Sequence, residues 1–390
     1  MKKIFQRFIR KQPKEMASKS LNKVVFHHLF HDPLGITFIV FIFIVLIVSI
    51  LGSLITPDPT PNANRQILEI SLQKPGTEIM MLKIPRETPA VRTSGFEQAL
   101  FGRPDEYNYV PITKYEFCQN SVIVTLFKGD SLYPTQTFQL CEILPNASKG
   151  EDISKLQRQF KKESIETKTY WLGTDRYGRD VLSQLILGSR VSISVGLISV
   201  FIAIIIGVLL GAIAGYFRGW VDELIVWFIN VVWSIPSLLL VIAISFALGK
   251  GFWQVFIAIG LTMWVDVARV VRGQVMSLRE KEFVEAGKAL GYSNFRIIYK
   301  HILPNVTGTV AVIAASNFAS AILIESGLSF LGLGVQPPVP SWGTMIKENY
   351  GYIILDYAYL AIIPGVAIML LVLAFMLIGN SLRDALDVKA

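Results

Sequence analysis

Between Leu34 and Ile55 the chain carries no charged residue, and about 20 apolar residues in a helix cross the hydrocarbon core of a bilayer. Further apolar stretches of similar length run from Val191 to Tyr216, Leu224 to Leu248, Phe252 to Val270, Val306 to about Ile324, and Tyr357 to Ile378. In lipid a backbone must satisfy its own hydrogen bonds, so each stretch is expected to be a helix. The fold expected is an all-α polytopic membrane protein with six transmembrane helices and both termini cytoplasmic. A hydrophobic content of 52% and a mean hydropathy of +0.49 agree with that class.

The formal net charge of +8 invites a nucleic-acid reading. Its placement argues against one. Eight basic residues against two acids precede the first apolar run, whereas residues 57 to 189 carry sixteen of each sign. Lys and Arg concentrated beside a span mark the cytoplasmic side, and basic residues are not interleaved with stacking aromatics. The stretch 1–33 is therefore expected to be a cytoplasmic basic segment and 34–56 the first span. That basic stretch is too long for a typical signal n-region and no A-x-A site follows, so the span is expected to be an uncleaved anchor.

One polar segment separates the fourth and fifth spans. It runs EFVEAGKALGYSNFRIIYKHILPN over 282–305, and the loop around it, 271–305, carries Arg272, Arg279, Lys281, Lys288, Arg296 and Lys300 on the expected cytoplasmic side. Ser277 and Glu280 have capping-box spacing, so a helix is expected to open there and to close at Gly291. Phe283, Ala286, Gly287 and Leu290 recur at i, i+3, i+4 and i+7 and give this helix one small apolar face. Ser293 is expected to cap a second short helix that Pro304 ends or kinks. Two short helices at an angle suit insertion into a groove on a partner; a surface helix lying on the membrane fits the same periodicity.

This segment resembles the cytoplasmic coupling loop of ABC-importer permeases, whose pattern is EAA, three residues, Gly, nine residues, then I-x-L-P. Here the matching residues are Glu285, Ala286, Gly287, then Gly291, then Ile302, Leu303 and Pro304. Gly287 replaces the usual second Ala and His301 the usual Ile. LGTDRYGRD at Leu172–Asp180 and GLSFLGLGVQPPVPSWG at Gly327–Gly343 are similar to segments of the dipeptide, oligopeptide and nickel branch of that family. The first string also reads as a charge-paired turn at the membrane surface. The resemblance covers 172 to 387 almost continuously and places a permease core of five helices in 172–390.

The resemblance implies a type I importer fold and a permease subunit that forms half of a translocation pathway for short peptides. It implies Glu282, Glu285, Ala286, Gly287, Gly291, Ile302, Leu303 and Pro304 as the ATPase-coupling residues. The partners implied are a second permease in a heterodimer, two cytoplasmic ATPases, an extracytoplasmic substrate-binding protein and the lipid membrane, with no nucleic acid. No G-x-x-x-x-G-K-[ST] string occurs, so no cofactor is expected on this chain and ATP is used by the partner subunits. His27, His28 and His31 lack carboxylate or Cys neighbours and make no expected metal site.

Residues 57–171 are expected to form an extracytoplasmic insertion. Runs such as TEIMMLKIPR and NSVIVTLFKG read as strands, and Ser148 to Thr169 as charged and helix-permissive, giving a small α+β domain or elaborated loop. Cys118 and Cys141 lie in it, and an oxidising compartment would permit a disulfide between them, with two free buried thiols as the alternative. The glycosylation triplet Asn146–Ser148 is read as chance.

Polar residues inside spans are costly and are candidates for a translocation pathway. They are Asn230, Ser234 and Pro236 on the third span and Asn317 and Glu325 on the fifth. Pro236 should kink its helix. Asp266 is expected in an intrahelical pair with Arg269 or Arg272. The alternative functional reading is an ion-gradient-driven secondary transporter or channel, which requires midplane carboxylates and inverted repeats. A structural or sensory membrane protein with a ligand-binding outer domain is the third.

Overall fold

The computed structural model describes residues 33–86, 94–127, 134–144, 152–249 and 251–387. His27, His28, His31 and Asn146 lie outside these residues. The first helix, α1 (Pro33–Ile55), matches the first expected span.

The chain then builds a five-stranded antiparallel sheet. Its strands are β1 (Thr77–Pro85), β2 (Tyr107–Cys118), β3 (Ser121–Leu126), β4 (Thr135–Gln139) and β5 (Ile165–Tyr170), in the order β4-β3-β2-β1-β5. Three short helices accompany them: α2 (Gly95–Phe101), α3 (Leu140–Ile143) and α4 (Ile153–Glu163). Leu82, Ile112, Val122 and Val124 pack against Leu140, Ile143, Leu156 and Phe160, so α3 and α4 cover one face. Ile67, Ile70, Ile79, Met81 and Tyr170 fill the other side. Within the stretch read as helix-permissive, residues 165–170 form a strand instead. Their pairing with β1, Ile165 opposite Leu82 through Tyr170 opposite Thr77, overrides local propensity.

Cys118 and Cys141 are exposed free thiols, which corrects the disulfide expectation. Cys118 pairs with Ser121, and Ser121 pairs with Gln139 on the next strand. Two strand spacings, about 10 Å, therefore separate Cys118 from the strand that leads to Cys141. Disulfide geometry requires Cα atoms within about 7 Å.

The membrane core begins at α5 (Val181–Phe217), ten residues before the expected start. Asp180 caps it by accepting from the Ser183 amide at 2.8 Å. Its 37 residues span about 55 Å, so one end stands clear of a hydrocarbon core of about 30 Å. Near that end Arg190 donates to the carbonyls of Ser49, Ala99 and Leu100 at 2.6 to 2.7 Å, tying α1 and α2 to α5.

The third expected span is two helices, α6 (Gly219–Trp233) and α7 (Ser237–Leu248), bent by 92°. Pro236 removes the amide that a continuous helix would need, and its ψ of 125° turns the chain away. Then comes α8 (Phe252–Arg279), which packs on α5 through a G-x3-G-x3-G stripe that the sequence reading passed over. A Cβ on Gly207 would lie 2.5 Å from Val267 Cβ, one on Gly211 2.5 Å from the Ala268 carbonyl oxygen, and one on Gly215 2.6 Å from that of Arg272. Small residues at this spacing let two backbones approach closely in lipid.

Two short helices follow, α9 (Glu282–Ala289) and α10 (Asn294–Ile297), and a wide π turn at Ile298–Ile302 leads into α11 (Leu303–Phe330). Pro304 neither ends nor breaks this path, since 294–330 runs as one long helix. In the π turn the Leu303 amide bonds the Ile298 carbonyl five residues back, which loosens the ladder where Pro304 supplies no donor. The chain ends with α12 (Trp342–Asn349) and α13 (Tyr359–Asp387). Trp342 fills the notch at Gly188 and donates its indole N–H to the Leu185 carbonyl at 2.8 Å. Among the described residues five helices are long and apolar enough to span a bilayer, and the bent α6–α7 pair makes six if taken as one span.

Candidate coupling surface

Helix α8 does not stop where a capping box would stop it. Ser277 lies inside α8, and α9 starts behind Lys281, whose side chain makes no cap. Glu280 is drawn instead to Arg218, 62 residues away, which donates to it at 2.6 Å. At the other end the sequence expectation is met closely. The Tyr292 amide bonds the Gly287 carbonyl at 3.0 Å and the Gly291 amide bonds the Lys288 carbonyl at 2.9 Å. With Gly291 at φ +74°, this is a Schellman stop. Ser293 then caps α10 by accepting from the Arg296 amide.

Three apolar side chains hold this segment to the core. Val284, Ile297 and Ile302 are fully buried in the same cluster as the α5 and α8 residues Tyr216, Val271 and Val275. Tyr216 also donates its hydroxyl to Asn294 Oδ1 at 2.8 Å. Arg272 forks onto Asp222 at 2.5 and 2.6 Å, joining α8 to α6 beside the segment. A bidentate arginine–carboxylate contact fixes geometry as well as charge. A Cβ on Gly287 would meet Tyr292 at 3.5 Å and Ile297 at 3.7 Å, ordinary contact distances, so the alanine usual at this position also fits.

The outward surface is apolar where the sequence placed the stripe, but the stripe does not face the chain's own core. Gly287 is buried, while Phe283, Ala286 and Leu290 are exposed beside Glu282 and Glu285. Leu290 is 70% exposed, Phe295 77% and Tyr299 62%. Phe295 and Tyr299 stack at 6.0 Å and Arg296 covers the Tyr292 ring at 3.9 Å. Ile302 is fully buried, Leu303 half-buried and Pro304 exposed. Sequence reasoning missed Val284, Ile297 and the exposed pair Phe295 and Tyr299; two aromatics at i, i+4 in a polar loop were a readable signal.

The intramembrane polar residues divide into two groups. Asn230, Ser234 and Pro236 lie exposed at the α6–α7 elbow, where the Ser234 hydroxyl donates to the Val231 carbonyl at 2.8 Å. Asn317 and Glu325 are instead buried among this chain's own helices. Glu325 accepts from Ser329 at 2.6 Å, and Ser329 in turn meets Ser341, the N-cap of α12. Asp266 is exposed and does not form the expected pair, because Arg269 lies over the Trp233 ring at 3.9 Å and Arg272 is committed to Asp222.

The DRYGRD string forms a buried turn. Asp175 accepts from the amides of Tyr177 and Arg179 at 2.9 Å and from Arg179 Nε at 2.7 Å, and Arg179 reaches on to Glu348 of α12. Gly178, at φ +71°, lies so near Ile67 that a Cβ would stand 1.8 Å from its carbonyl oxygen.

Residues 207–390 match the family described as binding-protein-dependent transport system inner membrane component. The glutathione transport system permease protein GsiD of Pectobacterium atrosepticum is 38% identical over 223 residues, 57% of this chain and 74% of that protein. The chain belongs to the permeases of binding-protein-dependent ABC importers. The dipeptide transport system permease protein DppC of Alkalihalophilus pseudofirmus is 44% identical to this permease over 220 residues, 56% of this chain and 72% of that one. Among solved structures, the MetNI methionine ABC transporter in an inward-facing conformation aligns with a TM-score of 0.45 and 17% identity, over 52% of this chain and 97% of that one. The permease is thus a transport protein and an inner-membrane component of its system.

Proposed function

We propose that this permease forms half of a translocation pathway for short peptides and receives the work of ATP hydrolysis through residues 282–304. The observation that carries the coupling role is the placement of α9: gripped from behind by Val284 and Gly287, it presents Phe283, Glu285, Ala286 and Leu290 outward. A helix held as a rigid projection with an exposed apolar face fits a groove on a partner. It is joined to α8 through Glu280 and Lys281 and to the 294–330 helix through the turn at Leu290–Ser293, so displacing it would pull on both.

The cargo class rests on similarity to permeases named for glutathione and for dipeptides. The permease would pair with a second, different permease, two cytoplasmic ATPases and an extracytoplasmic binding protein, with both termini in the cytoplasm. The chain itself would bind no nucleotide. The exposed elbow at Asn230, Ser234 and Pro236 is the better pathway candidate, since Asn317 and Glu325 are enclosed. Glu285→Lys and Gly291→Pro should each abolish peptide uptake and ATPase association while membrane insertion stays normal. Unchanged uptake in both variants would sink the coupling role.

A further inference from the structure

Helix α2 belongs by sequence to the segment that carries the sheet, yet it packs against the first span, α1. A capping box between Ser94 and Glu97 closes its start, and Gly102, at φ +81°, reverses the chain at its other end. A Cβ on Gly102 would stand 2.8 Å from the Pro59 carbonyl oxygen, and the Arg103 amide donates to that oxygen at 2.7 Å. Arg190 of α5 closes the joint from the other side. Its guanidinium donates to the carbonyls of Ala99 and Leu100 near the end of α2, and to those of Ser49 and Ile50 on α1, at 2.6 to 3.1 Å. Carbonyls that a helix end leaves open are thereby satisfied.

These contacts set a depth. Ile50 lies five residues before the end of α1, about 7.5 Å along its axis, and the uncharged stretch of α1 runs to Ile55. On α5 the uncharged stretch begins at Val191, directly after Arg190. Both helices therefore place the end of α2 at the edge of the hydrocarbon core or just inside it. What α2 shows there is apolar: Leu100 is 41% and Phe101 70% exposed, and α1 alongside exposes Ile50, Leu51, Leu54 and Ile55. Glu97, one turn earlier on the same face, is held at the Ser94 amide at the far end of the helix. Arg103 is exposed and has no carboxylate at ion-pair distance among the described residues.

We propose that the tip 100–103 inserts into the membrane leaflet on the sheet's side, with Leu100 and Phe101 among the acyl chains and Arg103 at a phospholipid phosphate. Lipid is the occupant because the tip continues the exposed apolar side of α1 at the same level. A membrane-interface segment buries its apolar face about 5–10 Å into the boundary between headgroups and acyl chains, which is the depth that Ile50 sets. Arginine keeps its charge at the headgroups while its stem lies along apolar surface. Since Arg190 ties the tip to α1 and α5, insertion anchors the sheet-bearing segment to the bilayer as well as to the helices. The inference rests on α1 as a membrane span and is independent of the coupling role and of the cargo.

The test is spin labelling of the full-length protein, co-purified with its partner subunits and reconstituted in vesicles of phosphatidylethanolamine and phosphatidylglycerol. Cys118 and Cys141, both exposed, are replaced by serine, and a nitroxide is attached to Phe101→Cys. Its collisions with oxygen are expected to exceed those with a water-soluble nickel chelate several-fold. A label that the chelate reaches more readily than oxygen would put the tip in water, and one shielded from both would put it under another protein chain; either result overturns the proposal. A second measurement needs no variant. A phospholipid with a diazirine in its acyl chain should, on illumination, label residues 95–103 of the wild-type chain as it labels 50–55 of α1. Labelling of α1 with none on 95–103 would overturn the proposal as well.

Discussion

Gly287 and Gly291 stand four residues apart and do different work. A methyl on Gly287 meets only ordinary contacts, so Gly287→Ala should leave uptake intact and raise helix stability by up to about 1 kcal/mol. Gly291 sits at φ +74°, where a β-branched side chain costs about 1–2 kcal/mol or more. Gly291→Val should therefore loosen the Schellman stop and lower ATPase co-purification several-fold, whereas equal recovery of the ATPases from both variants would contradict the assignment. Lys168 gives a pH dependence. Its folded pKa near 8 lies below the ordinary lysine value, so the unfolded chain binds more protons and stability rises with pH from about 8 to 10. The groups around it are Arg65, Glu166, Asp58 and Asp105. Burial raises Tyr109 and Tyr170, which work in the opposite direction above about 10. Melting of the full-length protein across that window should show wild type gaining on Lys168→Met; parallel curves would refute it. Local chemistry made Gly291, Ser293 and Pro236 legible in the sequence. Ser277, Glu280 and Asp266 were not, because Arg218, Asp222 and Trp233 lie far off in sequence and supply competing partners.

Among the elements, α5 and α8 pack backbone to backbone, and the stripe Gly207, Gly211, Gly215 is what permits it. Gly211→Leu would drive a side chain into the Ala268 carbonyl, an overpacking that typically costs about 1–3 kcal/mol. A clear drop in melting temperature is expected, and an unchanged melt would show that the two helices have room to part. Spans were readable because twenty apolar residues have few alternatives, but their ends were not. Hydropathy locates the part in lipid, while Asp180 and Ser293 start α5 and the 294–330 helix well outside it. β5 was hidden for another reason. Its polar residues Glu166, Thr167, Lys168 and Thr169 give no apolar alternation, and only pairing with β1 makes it a strand.

At the scale of the whole molecule, one chain joins a five-stranded sheet, a helical core and a projecting pair of short helices. The sheet is pinned to the core by the turn at 174–180, by Arg190, and by the Tyr359 hydroxyl, which donates to the Gln73 carbonyl at 2.9 Å. A two-residue break, Glu280–Lys281, joins α8 to α9, and α10 runs through the π turn into α11. Force applied at α9 would be passed on to α8 and α11, the geometry that the proposed coupling role needs. The decisive measurement is uptake of a labelled dipeptide by proteoliposomes holding the complete complex, with ATP and with ionophores that abolish ion gradients. ATP-dependent uptake that survives the ionophores and disappears in Glu285→Lys is the predicted result. Uptake that proceeds without ATP and collapses with the gradient, or that Glu285→Lys leaves untouched, would contradict the account.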